Sequence, residues 1–103
     1  MRRLEDYVRD RLSGDLTLNE LARLLSISVR HLSRALRQEK GVSVHRWIAE
    51  RRLSEARRLL AETDMPVQDI ARLSAFHSAS AFTAAFRAAS GFAPGEFRRL
   101  RLQ

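Results

Sequence analysis

The chain has 103 residues, a length typical of one small domain, and 45% of them are apolar, which is enough for a modest core. It contains no cysteine, so disulfides, thiolate metal sites and cysteine nucleophiles are excluded. A formal net charge of +7 favours a polyanionic partner, and nucleic acid is the commonest one. Every basic residue except Lys40 is arginine, a bias that a GC-rich genome would also produce.

The sequence shows neither a membrane span nor a targeting segment. No apolar run approaches the ~20 residues that cross a bilayer. No apolar stretch follows the two arginines after Met1 to form a secretory signal. We therefore expect a cytoplasmic protein without membrane contact.

An all-α fold is predicted, because Ala, Leu, Arg and Glu dominate and strand-like alternation is absent. Apolar spacing, caps, prolines and glycines place seven helices at about residues 3–13, 18–25, 29–40, 44–62, 67–74, 79–90 and 94–101. The residues expected to face inward from the second to the sixth helix are Leu18, Leu21, Ala22, Leu25, Leu32, Leu36, Trp47, Ile48, Ala56, Leu59, Leu60, Val67, Ile70, Ala71, Phe82, Phe86 and Ala89.

Particular residues mark where these helices begin and end. Thr17, followed three residues later by Glu20, predicts a capping box at the second helix. The third and sixth helices each follow a serine N-cap and each precede a glycine that acts as a C-terminal stop. Pro66 precedes the fifth helix and Pro94 lies in the first turn of the seventh, where the missing N–H is not needed.

An internal repeat is the strongest signal in the sequence. Residues 18–24 match residues 67–73 at an offset of 49, and after one inserted residue the match resumes at an offset of 50. It then runs from Ser28 against Ser78 to Trp47 against Phe97. Each copy has a short helix with a central alanine, a tight turn and a serine-capped helix. The alanine lets the two helices cross closely, which is the helix-turn-helix layout.

The repeat, the connecting helix and the closing segment together resemble the DNA-binding domain of AraC/XylS-type bacterial transcription regulators. The matching residues are Trp47-Ile48, Arg52-Leu53, Ala56, Leu59-Leu60, Ile70-Ala71, Phe76, Ser80-Ala81-Phe82, Phe86-Arg87, Gly91-Phe92-Ala93-Pro94 and Phe97-Arg98. Ala75 departs from the family pattern, which has glycine before the turn phenylalanine. The turn therefore has either a negative φ or a strained positive one.

The resemblance implies a single homeodomain-like DNA-binding domain over residues 1–103. It divides into a helix-turn-helix subdomain at about 1–42, a linker helix at 43–63 and a second subdomain at 64–103. The implied function is sequence-specific binding of double-stranded DNA for transcription regulation, with the two recognition helices in successive major grooves. Family members usually carry a further sensing or oligomerisation domain, so the chain is interpreted as the DNA-binding part of a longer bacterial regulator.

Base contacts are expected from the exposed faces of the third and sixth helices. The resemblance assigns them to Arg30, Ser33, Arg34, Ala79, Ser80, Thr83 and Ala84. Arginine can donate two hydrogen bonds to guanine, whereas small residues reach a thymine methyl group or let the helix lie close. We expect the first unit to read more of the sequence than the second. A phosphate contact or a solvated side chain is the alternative for each arginine.

Phosphate contacts are expected at the helix ends and beyond the first turns of the recognition helices. The residues concerned are Thr17, His31, Arg37, His77 and Arg87. Thr17 is alternatively only a helix cap, and His77 only a solvated turn residue. The linker-helix arginines at 51, 52, 57 and 58 have nearby glutamates at 50, 55 and 62, and most are interpreted as intrahelical pairs or solvated side chains.

Three other functions compete with DNA binding by this family. Catalysis is disfavoured because His31, His45 and His77 lie in separate elements, and no nucleophile elbow or phosphate loop occurs. We expect no enzyme activity, no metal and no cofactor. The serine-capped repeat and its exposed arginines disfavour a protein-interaction module, and the closing signature disfavours a sigma-factor domain. The expected partners are double-stranded DNA and, as a further candidate, RNA polymerase, with this chain a monomer.

Overall fold

Residues 2–100, the part of the chain that the computed structural model describes, contain seven α-helices joined by turns and loops, and no strand. The helices are α1 (Arg2–Arg9), α2 (Leu18–Leu24), α3 (Val29–Lys40), α4 (Val44–Glu62), α5 (Val67–Leu73), α6 (Ala79–Ser90) and α7 (Pro94–Leu100). The all-α prediction is confirmed, and the predicted bounds of α2 to α6 agree to within one residue. Arg101, the last residue predicted for α7, lies outside the described residues, as do Met1, Leu102 and Gln103 at the ends of the predicted domain.

The prediction that α1 continues to Ser13 is wrong, because the helix ends at Arg9. Beyond it the chain closes tighter turns. The Arg11 amide donates to the Val8 carbonyl at 3.0 Å, and the Gly14 amide donates to the Arg11 carbonyl at 3.1 Å. Hydrogen bonds to the third residue back replace those to the fourth, which is how the last turn of many helices tightens before a loop.

The described residues fall into two compact units that divide between Arg51 and Arg52, inside α4. The core of the first unit consists of Leu4, Val8, Leu21, Ala22, Leu32, Leu36, Val44, Trp47 and Ile48. The core of the second unit consists of Ala56, Leu60, Ile70, Ala71, Phe82, Phe86 and Phe97. Each half of α4 therefore supplies apolar side chains to the core of its own unit.

The predicted inward-facing residues are buried or partly buried, with one exception. Ala89 is exposed, so the prediction that it faces inward is wrong. The last turn of α6 extends beyond the core of its unit. Ser90 is partly buried there, and its hydroxyl donates to the Phe86 carbonyl at 2.8 Å.

The turns between α2 and α3 and between α5 and α6 share an unusual backbone conformation. Ser26 has a φ of 58° and Ala75 a φ of 56°, and the two residues correspond in the repeat. Of the two alternatives for Ala75, the structure therefore has the strained one, since this region costs residues with a Cβ roughly 1–2 kcal/mol. The residue inserted in the second copy is His77, between Phe76 and Ser78.

Replacing Ala75 with glycine is expected to stabilise the second unit by about 0.5–1 kcal/mol. Glycine adopts a positive φ without strain, and its greater freedom in the unfolded chain offsets part of the gain. Ala88→Gly, on the exposed side of α6, is the matched control and should lose about 1 kcal/mol. Urea unfolding followed by circular dichroism measures the free energy of unfolding of both variants. A less stable Ala75→Gly variant would show that Ala75 is not strained.

Candidate nucleic-acid interface

The helices α3 and α6, called the recognition helices below, have both ends defined in the same way. Each contains 12 residues between a serine and a glycine. The Oγ atoms of Ser28 and Ser78 accept hydrogen bonds from the amides three residues ahead, both at 3.0 Å. Gly41 and Gly91 have φ values of 76° and 86°. The predicted serine caps and glycine stops are confirmed, and they determine which residues face outward.

Thr17 caps α2 as predicted, but its capping box is only half formed. The Thr17 Oγ1 atom accepts a hydrogen bond from the Glu20 amide at 3.1 Å. The Glu20 carboxylate instead accepts a hydrogen bond from the hydroxyl of Tyr7 in α1. This hydrogen bond raises the pKa of Tyr7, because the nearby carboxylate favours the protonated phenol. The Arg11 guanidinium lies 3.8 Å from the centre of the Tyr7 ring, a cation–π contact.

The exposed face of α3 is cationic. Arg30, Arg34 and Arg37 are exposed and form no ion pair within residues 2–100. A shallow groove of about 300 Å³ follows this face, lined by Ser28, Arg30, His31, Arg34, Ala35 and Gln38. Gln38 was not among the predicted site residues, although its spacing of four from Arg34 would have indicated it.

Within residues 2–100, Lys40 at the C-terminal end of α3 forms an ion pair, unlike the three arginines before it. The Lys40 ammonium forms an ion pair with the Glu5 carboxylate of α1 at 2.8 Å. Its hydrogen bond lowers the pKa of Glu5, because the ammonium favours the charged carboxylate. Lys40 therefore links two helices of the first unit, whereas the three arginines before it point to solvent.

The exposed face of α6 is nearly uncharged at the matching positions. Ser80, Ala81, Ala84 and Ala88 stand, at an offset of 50, where α3 has Arg30, His31, Arg34 and Gln38. Arg87 is the one cation within Ala79–Ser90. The two recognition helices thus share a length and a capping pattern but not a surface chemistry.

A second groove, of about 410 Å³, lies at the turn of the second unit. Its lining residues are Gln68, Ala71, Arg72, Phe76, Ser78 and Ala79. Arg72 forms an ion pair with Asp69 at 2.5 Å, so part of its charge is already neutralised. Gln68, which follows the first residue of α5, was not among the predicted site residues.

The predicted contact residues lie on the recognition helices and beside the caps. Of the residues predicted to contact bases, Arg30, Arg34, Ala79, Ser80 and Ala84 are exposed, and Ser33 and Thr83 are half-buried. The residues predicted to contact phosphates, Thr17, His31, Arg37, His77 and Arg87, are all exposed. Ser33 and Thr83 occupy the same repeat position, so both hydroxyls are partly shielded by their own units.

Comparison with known proteins identifies the family. A family model described as a helix-turn-helix domain matches residues 21–100. The C-terminal domain of AraT, a response regulator from Geobacillus stearothermophilus, matches with a TM-score of 0.87 at 34% identity, covering 99% of this chain and 85% of that one. The chain belongs to the AraC/XylS family of helix-turn-helix domains. The resemblance inferred from the sequence is confirmed.

Two further matches of this AraC/XylS domain are a longer regulatory protein and a DNA-bound domain of similar size. It is 32% identical to the arabinose operon regulatory protein of Escherichia coli (strain K12) over 93 residues, 89% of this chain and 32% of that protein. It matches the DNA-binding domain of AdpA, solved in complex with a target DNA, with a TM-score of 0.88 at 25% identity, covering 96% of this chain and 89% of that one. The chain spans between 12% and 32% of the length of the first three curated relatives.

The arginines of α4 in this AraC/XylS domain are partly paired. Arg58 forms ion pairs with Glu55 at 2.6 Å and with Glu62 at 3.9 Å, which confirms the predicted intrahelical pairing for this residue. Glu50 pairs with Arg46 at 3.5 Å, a pair that the prediction did not include. Such exposed pairs contribute little to stability, because water and salt screen their charges.

Arg98 of α7 binds the C-terminal end of α4. Its Nε donates to the Leu60 carbonyl at 3.2 Å, and one of its amino groups donates to the Leu59 and Thr63 carbonyls at 3.4 and 3.2 Å. The Leu59 carbonyl also accepts hydrogen bonds from the Thr63 amide at 3.1 Å and the Thr63 hydroxyl at 2.6 Å. Carbonyls at a helix C-terminus carry partial negative charge, so a guanidinium there is favourable. The closing signature of the AraC/XylS pattern includes Arg98, but the sequence assigned it no role.

Replacing Arg98 with alanine is expected to destabilise the second unit of this AraC/XylS domain by about 1–3 kcal/mol, because several carbonyls lose a charged donor. Arg98→Lys keeps the positive charge and one hydrogen-bond donor group, so it should lose less stability than Arg98→Ala. Arg99→Ala, at the exposed neighbouring position, is the control and should change stability by less than about 0.5 kcal/mol. Equal losses in urea unfolding for Arg98→Ala and Arg99→Ala would contradict the capping role.

Residues 2–100 contain neither a cluster of metal-ligating side chains nor a helix that could span a membrane. No group of three or more histidine and acidic side chains there is placed to hold a metal ion. No helix of this AraC/XylS domain, within the same residues, is both long and apolar enough to cross a membrane.

Proposed function

We propose that this chain binds double-stranded DNA sequence-specifically and so regulates transcription, as the DNA-binding part of a longer bacterial regulator. The observation that carries the proposal is the duplicated helix-turn-helix unit, in which α3 exposes three arginines without ion pairs among the described residues. Membership of a family in which relatives are named transcriptional regulator or transcriptional activator supports it. So does the likeness to the AdpA domain, which was solved with a target DNA.

In the proposed mode the recognition helices present their N-terminal turns to base edges, and residues near the caps bind phosphates. The base-contact residues are Arg30, Ser33, Arg34, Ala79, Ser80, Thr83 and Ala84. The phosphate-contact residues are Thr17, His31, Arg37, His77 and Arg87. Thr17 can serve as cap and phosphate ligand together, because capping uses an oxygen lone pair and leaves the hydroxyl proton free to donate.

We also propose where this protein acts in the cell and which partners it binds. A regulator of this kind acts where the bacterial chromosome is, in the cytoplasm, and acts by binding rather than by catalysis. The 103-residue chain is proposed to bind as a monomer, since it already contains two helix-turn-helix units. RNA polymerase is proposed as a further partner, because two of the relatives are named transcriptional activators.

The affinity for DNA should fall steeply with salt. Two helix-turn-helix units are expected to neutralise about 5–8 phosphates, which predicts a slope of roughly −4.5 to −7 for log affinity against log salt. Fluorescence anisotropy with a labelled duplex at several salt concentrations measures the slope. Arg37→Ala, which removes one proposed phosphate contact, should reduce the slope by about 1. A flat salt response would show that the positive charge is not used on DNA.

A single chain is expected to occupy two successive major grooves, because each unit presents one recognition helix. Hydroxyl-radical footprinting on a selected duplex should then show protection extending over about two helical turns, roughly 20 base pairs. The stoichiometry, measured by analytical ultracentrifugation, should be one chain per duplex. Protection of one groove per bound chain would contradict this mode.

A further inference from the structure

The two recognition helices differ in chemistry at matched positions. Within its 12 residues α3 carries Arg30, Arg34, Arg37 and Lys40 with Glu39 as the one carboxylate, whereas α6 carries Arg87 alone. The caps at both ends are equivalent, so corresponding side chains leave each helix at the same phase. The difference therefore concerns what each helix can recognise.

Resting on the proposed DNA-binding function, we propose that α3 reads two guanines within three consecutive base pairs through Arg30 and Arg34, and that the half-site under α6 carries much less sequence information. The operators that this chain selects would therefore contain two guanines within three base pairs. The weak second half-site follows from the small residues that α6 has in place of the two arginines.

The spacing of the two arginines fits two guanines. Arg30 and Arg34 are four residues apart, so they lie on one face of α3 and about 6 Å apart along its axis at ~1.5 Å per residue. Successive base pairs are about 3.4 Å apart, so the two side chains are offset by roughly two base-pair steps. A guanidinium fork can donate to O6 and N7 of one guanine, which is the commonest specific arginine contact.

The positions of these arginines favour bases over phosphates. They lie in the first two turns after the Ser28 cap, the part of a recognition helix that meets base edges. Both are exposed and form no ion pair among the described residues, so neither donor set is engaged. Arg37 lies one turn further along, where a phosphate contact is the expected role.

The matching face of α6 offers few directional donors. Ser80 and Ala84 stand where α3 has its two arginines, and both are exposed. A serine hydroxyl accepts or donates to any base, and alanine reaches only a thymine methyl group. Thr83 is half-buried, which limits its reach. Readout by α6 then depends mainly on the shape and deformability of the DNA.

Binding-site selection from a random duplex library, with the 103-residue chain, tests the proposal. The expected motif has two guanines within three base pairs in one half-site and lower information content in the other. Failure to enrich any sequence would overturn the proposed function itself. Enrichment with equal information in both half-sites, or without the guanine pair, would overturn this inference and leave sequence-specific DNA binding standing.

Charge-matched variants separate guanine readout from phosphate binding. Arg30→Lys and Arg34→Lys keep the charge but lose the planar fork, so each should bind the selected site roughly 5- to 100-fold more weakly. Their salt slopes should stay unchanged, and so should their affinity for a duplex that lacks the guanines. Arg37→Ala is the contrasting control, since it should weaken binding to all duplexes alike. Lysine variants that lose affinity equally on both duplexes would overturn the assignment.

The repeat also allows a reciprocal test. The double variant Ser80→Arg/Ala84→Arg places the α3 arginines on α6, at exposed positions that tolerate larger side chains. A guanine preference should then appear in the second half-site. Ala88→Arg/Ala89→Arg adds the same charge in the last turn of α6 and should strengthen binding without a new preference. A folded Ser80→Arg/Ala84→Arg variant, judged by circular dichroism, that selects no guanine would contradict the proposal.

Discussion

The surface chemistry of this domain depends on how the recognition helices are capped. A serine oxygen accepts the amide hydrogen bond three residues ahead at one end, and a glycine at positive φ ends the helix 13 residues after that serine. A shift of the cap by one residue would rotate every side chain of the helix by about 100°. Arg30 and Arg34 would then no longer lie on the exposed face of α3, and Leu32 and Leu36 would leave the core.

The same scaffold supports two different surfaces. Ala22 and Ala71 are 3% and 6% exposed at the centres of α2 and α5, where a small side chain permits the recognition helix to cross closely. Leu32 in the first unit and Phe82 in the second fill the matching core position, both fully buried. The buried positions of the two repeats thus match, whereas the outward positions can differ without disturbing the helix crossing. On the outward positions α3 carries several cations, whereas α6 carries Arg87 alone.

Local patterns predicted most of the fold, because helix hydrogen bonds, serine caps and glycine stops each involve residues no more than about four positions apart in the sequence. The contacts that they missed join distant residues, such as Tyr7 with Glu20 and Arg98 with the end of α4. The exposure of Ala89 depends on where the core ends, which periodicity alone does not show. For the candidate site, the repeat and the family resemblance placed the exposed faces correctly, but the partial burial of Ser33 and Thr83 required the packed units.

The central claim is that the exposed faces of α3 and α6 bind DNA, and backbone amide chemical shifts test it most directly. A titration of the isotope-labelled chain with a selected duplex, followed by two-dimensional NMR, reports the backbone amides of all residues except proline in one experiment. The account predicts that the largest shift changes fall on residues 28–37 and 78–87, with little change on α1 and on the exposed side of α4. Large changes confined to α1 and α4, with the recognition helices unaffected, would contradict it.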